Sequence, residues 1–209
     1  MDTKRVVCEI ITGEEARKDA QMLVRQLYRE QGYGVGENGI AAYLTEPHAA
    51  TFGSRLNGIL YATVSVVSDN TDGLPMDAIY REELSSLRKA GKRLAEVVQL
   101  AADHDLYRRA AGGADSLFIA APLFATILSY AEYKKIDYLC IAVNPKHDNF
   151  YRLIGFQKIG ALKHHPSVDA PAIARIFNVS EWNKHGIVAS MLSKEILRHR
   201  PGVELFAGM

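Results

Sequence analysis

The sequence has little cysteine and little tryptophan, two residues and one residue respectively among 209. The two cysteines, Cys8 and Cys140, both stand inside short apolar runs. Thiols in such runs are usually buried, and reduced thiols are typical of the cytosol. We therefore expect two buried free thiols and a cytoplasmic protein.

The sequence also lacks an excess of charge, a long apolar segment and an internal repeat. The 25 basic and 24 acidic side chains leave a net charge of +1, which provides no general attraction to nucleic acids or membranes. No apolar run reaches the ~18 residues that a transmembrane helix needs. The first residues, MDTKRVV, contain no long apolar stretch, so we expect no secretory signal.

What the sequence does contain is the composition of an ordinary globular protein, 48% hydrophobic and 23% charged. A chain of 209 residues is long enough for one domain with a full core. We predict a single domain over residues 1–209, in which residues 180–209 form a C-terminal helical extension.

Apolar residues alternate along the chain between the period of strands and the period of helices. We predict strands at residues 5–11, 50–55, 59–67, 92–102, 138–143, 156–163 and 172–179. We predict helices at residues 14–30, 76–90, 117–136 and 181–200, and a short helix after residue 145. The N-caps that we predict are Thr12, Asp115 or Ser116, and Ser180. This order predicts an α/β (α+β) fold with a mixed, mostly antiparallel sheet flanked by helices.

The stretch from Tyr138 to Phe156 is the most informative part of the sequence. Six apolar residues, Tyr138–Val143, predict a strand buried on both faces, and Asn144-Pro145 ends it. The next residues follow the pattern N-x-x-x-x-x-F-Y-x-x-x-G-F, with apolar positions at near-helical spacing. Gly155 stands where the C-terminus of a helix favours a positive φ.

This pattern resembles the closing motif of the GNAT acyltransferase superfamily. The fuller sequence NPKHDNFY, residues 144–151, is similar to one branch of it. That branch contains the N-acyl amino acid synthases of the FeeM type and the acyl-homoserine-lactone synthases. The order of predicted elements also agrees with the GNAT topology. The alternative interpretation of the motif is a strand–helix–strand packing unit with aromatic anchors.

Many GNAT enzymes bind the pyrophosphate of coenzyme A with a Gln/Arg-x-x-Gly-x-Gly/Ala loop before the long helix. Residues 103–115, which we predict to form a loop, read DHDLYRRAAGGAD and depart from that pattern. The FeeM-like branch is understood to take acyl groups from acyl carrier protein, whose phosphopantetheine arm has one phosphate. The resemblance therefore implies this donor, with Arg108 and Arg109 as donor-binding residues. The glycine-rich residues 32–39 favour a loop over a substrate cleft rather than a phosphate site.

Glu96 is the main catalytic candidate because it is the only carboxylate in the apolar run 94–102. If this run is a strand, Leu94, Glu96, Val98 and Leu100 share one face. Burial raises the pKa of a lone carboxylate, which suits a general base toward an amine. Backbone N–H groups near Val98 to Leu100 are candidates for binding the thioester oxygen. The alternative is a helix here, or a salt-bridged glutamate.

Three further candidates follow the buried strand at residues 138–143. Tyr151 matches the tyrosine that protonates the leaving thiolate in many GNAT enzymes, although it also suits packing alone. Asn144 and His147 stand at the carboxyl end of the strand, where α/β sheets place ligands, and we take them as donor- or substrate-binding residues. The histidines have no metal-ligand spacing, so we expect no metal.

The sequence thus predicts an N-acyltransferase that moves a fatty acyl chain from a thioester to the amine of an amino acid or similar molecule. Its donor would be an acyl-phosphopantetheine thioester, on acyl carrier protein or coenzyme A, with no tightly bound cofactor. The alternatives are an acetyl-CoA-dependent GNAT acetyltransferase and a non-catalytic GNAT-fold sensor of acyl ligands. No nucleic-acid partner is expected.

Overall fold

The computed structural model describes residues 6–33, 43–44, 46–113, 119–182, 194 and 197–209. The strands in these residues are β1 (Val6–Ile10), β2 (Ala49–Leu56), β3 (Ile59–Ser68), β4 (Leu94–Ala102), β5 (Tyr138–Val143), β6 (Gln157–Lys158), β7 (Lys163–His165) and β8 (Ala170–Asn178). The α-helices are α1 (Glu14–Glu30), α2 (Asp77–Lys89), α3 (His104–Ala110), α4 (Ala121–Tyr133) and α5 (Asp148–Leu153). Short 3₁₀ helices cover Pro145–His147, Val179–Glu181 and Val203–Phe206.

The described strands form one mixed sheet in the order β1-β2-β3-β4-β5-β8-β6, and β7 pairs with β8. The β4–β5 pair is parallel, and the other described pairs are antiparallel. The predicted α/β class and the mostly antiparallel sheet are therefore confirmed. The strand interpretation of the segment that contains Glu96 is also confirmed, because this residue lies within β4.

The sheet opens at its centre, between β4 and β5. These two strands pair over three residue pairs, from Leu94 opposite Tyr138 to Glu96 opposite Cys140. Both strands continue beyond that point. They therefore separate after Glu96, and the carboxyl end of β5 faces an opening in the sheet, which is where α/β folds place ligands.

Helices cover both faces of the sheet. On one face, α1 contributes Leu23 to a cluster with Leu60, and Val24 packs against Ala101 of β4. On the other face, α4 is buried along nearly its whole length and packs against β1, β2 and β3. The even burial of α4 explains why its sequence is rich in apolar residues all round.

Several predicted local features differ in the structure. Residues 104–110 form helix α3 rather than a loop, because the Asp103 side chain accepts a hydrogen bond from the backbone N–H of Leu106 at 2.7 Å and caps it. Thr12 does not cap α1, whose N-cap is Gly13. The predicted strand at 156–163 is split, because the N–H groups of two consecutive residues, 159 and 160, both donate to the Ala174 carbonyl.

Some predictions lie outside the described residues, namely the caps at 115 and 116 and most of the loop at 32–39 and of the helix at 181–200. The helix predicted at 117–136 is present from Ala121 to Tyr133. Cys140 is buried and Cys8 is half-buried, and both are free thiols. Among the described residues, no helix is long and apolar enough to cross a membrane.

Candidate active site

A cavity of about 630 Å³ opens where β4 and β5 separate. Both strands line it, together with the end of α1, the start of α4, α5 and the β7–β8 hairpin. The volume suits a small ligand or part of a larger one. Within the part of the chain that the structure describes, no lysine or arginine lines the cavity. Its titratable lining residues are Tyr28, Tyr33, Tyr43, Glu46, Glu96, His104, His147, Tyr151 and His165.

Glu96 lies at the point where the two strands part, and its side chain is 2% exposed. Its Oε2 accepts a hydrogen bond from the backbone N–H of Met76 at 2.7 Å. The pKa of Glu96 is raised to about 8, mainly by burial; the Met76 hydrogen bond opposes the increase, and nearby Asp77 adds a smaller contribution to it. A carboxyl group with a pKa near neutrality can accept a proton from a reacting amine and release it again.

An ion-pair network holds the backbone that contacts Glu96. The Arg88 guanidinium donates to both oxygens of Asp69, at 2.7 and 2.9 Å, and to both oxygens of Asp77, at 2.9 and 2.7 Å. The two carboxylates raise the pKa of Arg88, which therefore stays charged. Because Asp77 follows Met76 directly, this network fixes the start of α2 and, with it, the N–H group that points at Glu96.

Val98 and Leu100 both line the cavity, on either side of a bulge in β4. Thr63 and Ser65 of β3 face Ala101 and Val98, so β4 has one more residue than β3 in this interval. Gln99, inside the bulge, has a φ of 54°. The prediction that Leu100 shares the face of Leu94 is wrong, because the extra residue shifts the alternation: Leu94 and Leu100 pack against different clusters.

Tyr151 lines the same cavity as Glu96, from α5. Its ring contacts Phe150 and Phe156, with centroids 5.3 and 5.6 Å apart. Burial, with a smaller contribution from Tyr33, raises the pKa of its hydroxyl well above the ordinary value. The hydroxyl therefore stays protonated at neutral pH.

Asn144 and His147 also line the cavity, at the carboxyl end of β5. The Asn144 side chain accepts a hydrogen bond from the backbone N–H of Lys146 at 3.1 Å and caps the short 3₁₀ helix. His147 stands at the N-cap position of α5, but its side chain forms no capping hydrogen bond. Burial and the nearby Lys146 lower the pKa of His147, so its imidazole is neutral at neutral pH.

A buried ion pair holds α5 against the sheet. Arg175 of β8, 5% exposed, donates to both carboxylate oxygens of Asp148, at 2.5 and 2.7 Å, and to the Phe156 carbonyl at 2.7 Å. Asp148 starts α5, the helix that carries Tyr151. This pair therefore positions Tyr151 and its neighbours relative to the two separating strands.

Arg108 and Arg109 do not line the cavity. Both are exposed at the end of α3, and Arg108 forms a 2.6 Å ion pair with Asp105 one helical turn away. The structure thus brings together six of the eight predicted site residues in one cavity and leaves these two on the surface.

Sequence reasoning missed several lining residues that come from distant parts of the chain. Three tyrosines approach from the N-terminal region: Tyr28, Tyr33 and Tyr43. His165 of β7 is 8% exposed, and its Nδ1 accepts a hydrogen bond from the backbone N–H of Ser167 at 3.3 Å. The proton of the neutral ring is therefore on Nε2. No local pattern in the sequence distinguishes these residues.

The cavity thus brings together a buried carboxyl group and a protonated tyrosine. The family model of the N-acyl amino acid synthase FeeM matches residues 19–176. The chain belongs to the FeeM family. The structure of FeeM, an N-acyl amino acid synthase from uncultured soil microbes, is 49% identical over 90% of this chain and 100% of that one, with a TM-score of 0.83.

More distant structures share the fold of this FeeM-family chain. An N-acetyltransferase from Staphylococcus aureus Mu50 is 12% identical, covers 84% of this chain and 99% of its own, and gives a TM-score of 0.57. An acyl-CoA N-acyltransferase from Pseudomonas aeruginosa is also 12% identical, covers 82% and 98%, and gives 0.55. The comparison with curated proteins gave no match. The predicted resemblance and the GNAT-like fold are confirmed, and the chain is an N-acyltransferase.

Proposed function

We propose that the chain transfers a fatty acyl group from the phosphopantetheine thioester of acyl carrier protein to the amine of an amino acid or a similar small molecule. The observation that carries this proposal is the buried Glu96 carboxyl at the separation of β4 and β5, with its pKa raised to about 8. Its close relative FeeM, 49% identical, is an N-acyl amino acid synthase, which supports an amino acid as the acceptor.

In the proposed reaction, the amine nitrogen attacks the thioester carbonyl carbon, and Glu96 accepts the proton that the nitrogen loses. The attack requires the ionised form of Glu96, which the Met76 N–H stabilises. Because the pKa is about 8, this form increases as the pH rises toward 8. The C–S bond then breaks, and the sulfur takes a proton from the Tyr151 hydroxyl, which burial keeps protonated.

The negative charge on the thioester oxygen needs hydrogen-bond donors as the amine attacks. Beyond Glu96, β4 no longer pairs with β5, and the bulge alters the backbone between Val98 and Leu100. We assign backbone N–H groups of this edge to the thioester oxygen. Their position beside Glu96 is consistent with an amine that approaches the carbonyl within the same cavity.

The choice of acyl carrier protein as donor is supported by the segment between β4 and α4. Helix α3 occupies residues 104–110 of this segment, where a coenzyme A-binding enzyme has a glycine-rich loop. The cavity lining contains no lysine or arginine among the described residues, so the described lining offers no fixed cation to a pyrophosphate. The phosphopantetheine arm of a carrier protein has a single phosphate, which lies outside the cavity in this proposal and requires fewer cationic partners than a pyrophosphate.

The experiment is a comparison of two donors with the same acyl chain, one on acyl carrier protein and one on coenzyme A. Each donor is incubated with the common amino acids, and the products are identified by mass. We expect N-acyl amino acids, with a higher kcat/KM for the carrier-protein donor. A higher kcat/KM for acyl-CoA would contradict the choice of donor, and release of thiol without an N-acyl product would contradict N-acyl transfer.

A further inference from the structure

Helix α5 and its neighbours present a basic and apolar surface beside the cavity. We define the α5 surface by five side chains: Lys146, Phe150, Arg152, Leu153 and Lys158. Phe150 is 36% exposed and Leu153 is 50% exposed, one helical turn apart on α5. Exposed apolar side chains that lie next to several cations are typical of a surface that contacts another molecule.

Within the part of the chain that the structure describes, the cations of the α5 surface form no ion pairs. Asp148 at the start of α5 accepts hydrogen bonds from Arg175 of β8 at both of its oxygens. Arg175 lowers the pKa of Asp148, and Lys158 and Arg152 contribute in the same direction, so both cations lie close to this carboxylate. Within the described residues, no carboxylate lies within ion-pair distance of Lys158 or Arg152.

Lys146 completes the cationic part of this surface at the edge of the cavity. Its ammonium lies 4.6 Å from the centre of the Tyr33 ring and donates to the Gln31 carbonyl at 3.3 Å. Tyr33 and Gln31 both line the cavity. These described contacts of Lys146 are neutral, and they hold its charge beside the cavity.

The same surface borders the cavity. Phe150 is exposed and lines the cavity at the same time, and its ring lies 5.8 Å from that of Phe124 inside. His147 is likewise exposed and lines the cavity, and Tyr151 lies next to Phe150. A flexible arm that entered beside Phe150 would pass Tyr151 on its way to Glu96.

We propose that the α5 surface is the docking site of the acyl carrier protein, which rests on the carrier-protein donor of the proposed function. Carrier proteins are acidic, so Lys146, Arg152 and Lys158 attract the partner, while the apolar pair provides direct contact. The net charge of the whole chain is only +1, so a local excess of positive charge is needed for such attraction.

The competing surface is α3, where the sequence placed the donor-binding arginines. There, Asp103 and Asp105 stand beside Arg108 and Arg109, and Asp105 is paired with Arg108. The two charges of each sign cancel, and neither arginine borders the cavity. Electrostatic attraction of an acidic partner is therefore weaker at α3 than at the α5 surface.

The test uses the double variant Arg152→Glu with Lys158→Glu, and one saturated acyl chain on two donors, acyl carrier protein and free phosphopantetheine. We expect kcat/KM for the carrier-protein donor to fall ~10-fold or more at low salt, and the difference to shrink at high salt. Turnover of the small donor should change little, because the cations are outside the cavity. If the double variant fails to fold, Arg152→Gln with Lys158→Gln replaces it.

Two further pairs of substitutions are compared with the α5 double variant. The exposed pair Lys18→Glu with Arg81→Glu is a matched control on α1 and α2, and Arg108→Glu with Arg109→Glu tests α3. An equal loss of kcat/KM for the carrier-protein donor in all three pairs, or a loss in the α3 pair alone, contradicts the α5 surface as the docking site. The same holds if the α5 variant loses binding to anionic lipid vesicles but keeps its turnover of the carrier-protein donor. If the wild-type protein uses only the small donors, the proposal that acyl carrier protein is the donor is wrong instead.

Discussion

The Oε2 atom of Glu96 lies 2.7 Å from the backbone nitrogen of Met76, 20 residues earlier in the chain, and accepts its hydrogen bond. This contact joins the central strand β4 to the residue that precedes α2. It uses one carboxylate oxygen and leaves the other for a ligand in the cavity that Glu96 lines. The relationship explains how a 2% exposed carboxyl group can be both held in place and available for proton transfer.

Glu96→Gln should lower kcat by ~10² to 10⁴-fold, because the amide keeps the shape of the side chain but cannot accept the proton. The wild-type rate should rise with pH toward about 8, the pKa of Glu96, and the variant should lose this acidic limb. Steady-state kinetics at a series of pH values, with saturating donor, measure both effects. Full activity with the acidic limb intact would rule out Glu96 as the base.

Glu46 is the other described carboxylate that lines the cavity, and it is exposed. Glu46→Gln is therefore the matched comparison for the same reaction. We expect kcat to change much less than for Glu96, because Glu46 is exposed to water whereas Glu96 is buried where β4 and β5 separate. A larger loss in the Glu46 variant would transfer the role of base to that residue.

The raised pKa of Glu96 also predicts how stability depends on pH. The folded protein keeps this proton up to a pH of about 8, whereas the unfolded chain releases it near the ordinary value of 4.5. Between these values the folded state binds one more proton, so the free energy of unfolding falls as the pH rises, by about 1.4 kcal/mol per pH unit from this group. Glu96→Gln should therefore gain stability relative to wild type from pH 5 to pH 8 in urea unfolding. A constant difference across this range contradicts the prediction.

Tyr151→Phe removes only a hydroxyl, so its ring contacts with Phe150 and Phe156 should remain. If the hydroxyl protonates the leaving sulfur, kcat should fall by up to ~10²-fold and KM for the amine should not change. A donor with a more acidic leaving thiol should restore part of the rate, because that thiolate needs no proton to depart. If kcat stays at the wild-type value, Tyr151 has only a packing role.

Asp148→Ala leaves the buried Arg175 guanidinium without its ionic partner and should lower the free energy of unfolding by ~3 to 5 kcal/mol at pH 7. Arg175 lowers the pKa of Asp148, so the pair stabilises the protein above the ordinary pKa of 3.8 and loses this contribution as the pH falls through the lowered value. Urea unfolding at pH 7 and in acid measures the change. The exposed pair Arg108 and Asp105 provides the control, since Asp105→Ala should cost less than about 1 kcal/mol. Equal costs would show that the buried pair contributes no more than a surface pair.

We predict that His165 donates a hydrogen bond from Nε2–H to the amine substrate, because its Nδ1 already accepts a hydrogen bond from the Ser167 N–H. In His165→Asn, the amide oxygen can still accept the hydrogen bond from the Ser167 N–H, but the shorter side chain cannot reach the substrate. KM for the amine should therefore rise ~3 to 10-fold, which corresponds to the loss of one hydrogen bond. His165→Gln can keep the donor and should be closer to wild type. The neighbouring His164, which is exposed, serves as control through His164→Asn. A rise in KM for the acyl donor rather than the amine would place His165 elsewhere in the reaction.

Much of the fold could be predicted from local sequence. Asn57-Gly58 predicts a hairpin turn, and both residues have positive φ, 53° and 80°. The β-branched runs predict the central strands because alternating or continuous apolar residues report which faces are buried. The motif from Asn144 to Phe156 predicts the family, since a buried strand, a short helix and a glycine at φ 102° follow from residues close in sequence.

Position within the site was harder to predict, as Leu100 and Arg108 show. The alternation rule fails at Leu100 because the bulge at Gln99 depends on pairing with β3, which no pattern within β4 reveals. The sequence suggested Arg108 and Arg109 as donor-binding residues, and only the structure shows that the capped helix α3 places both arginines on the surface, outside the cavity.

The sequence alone determined most of the strands and helices, the buried position of Glu96 in an apolar run and the family to which the chain belongs. Residues within about one element of each other encode these features. The tertiary structure alone decided which side chains meet around the cavity. The Met76 N–H contacts Glu96 from a distant element. The tyrosines of the N-terminal region and His165 line the same cavity as Glu96 and Tyr151, and only the strand order and the separation of β4 from β5 bring these residues together.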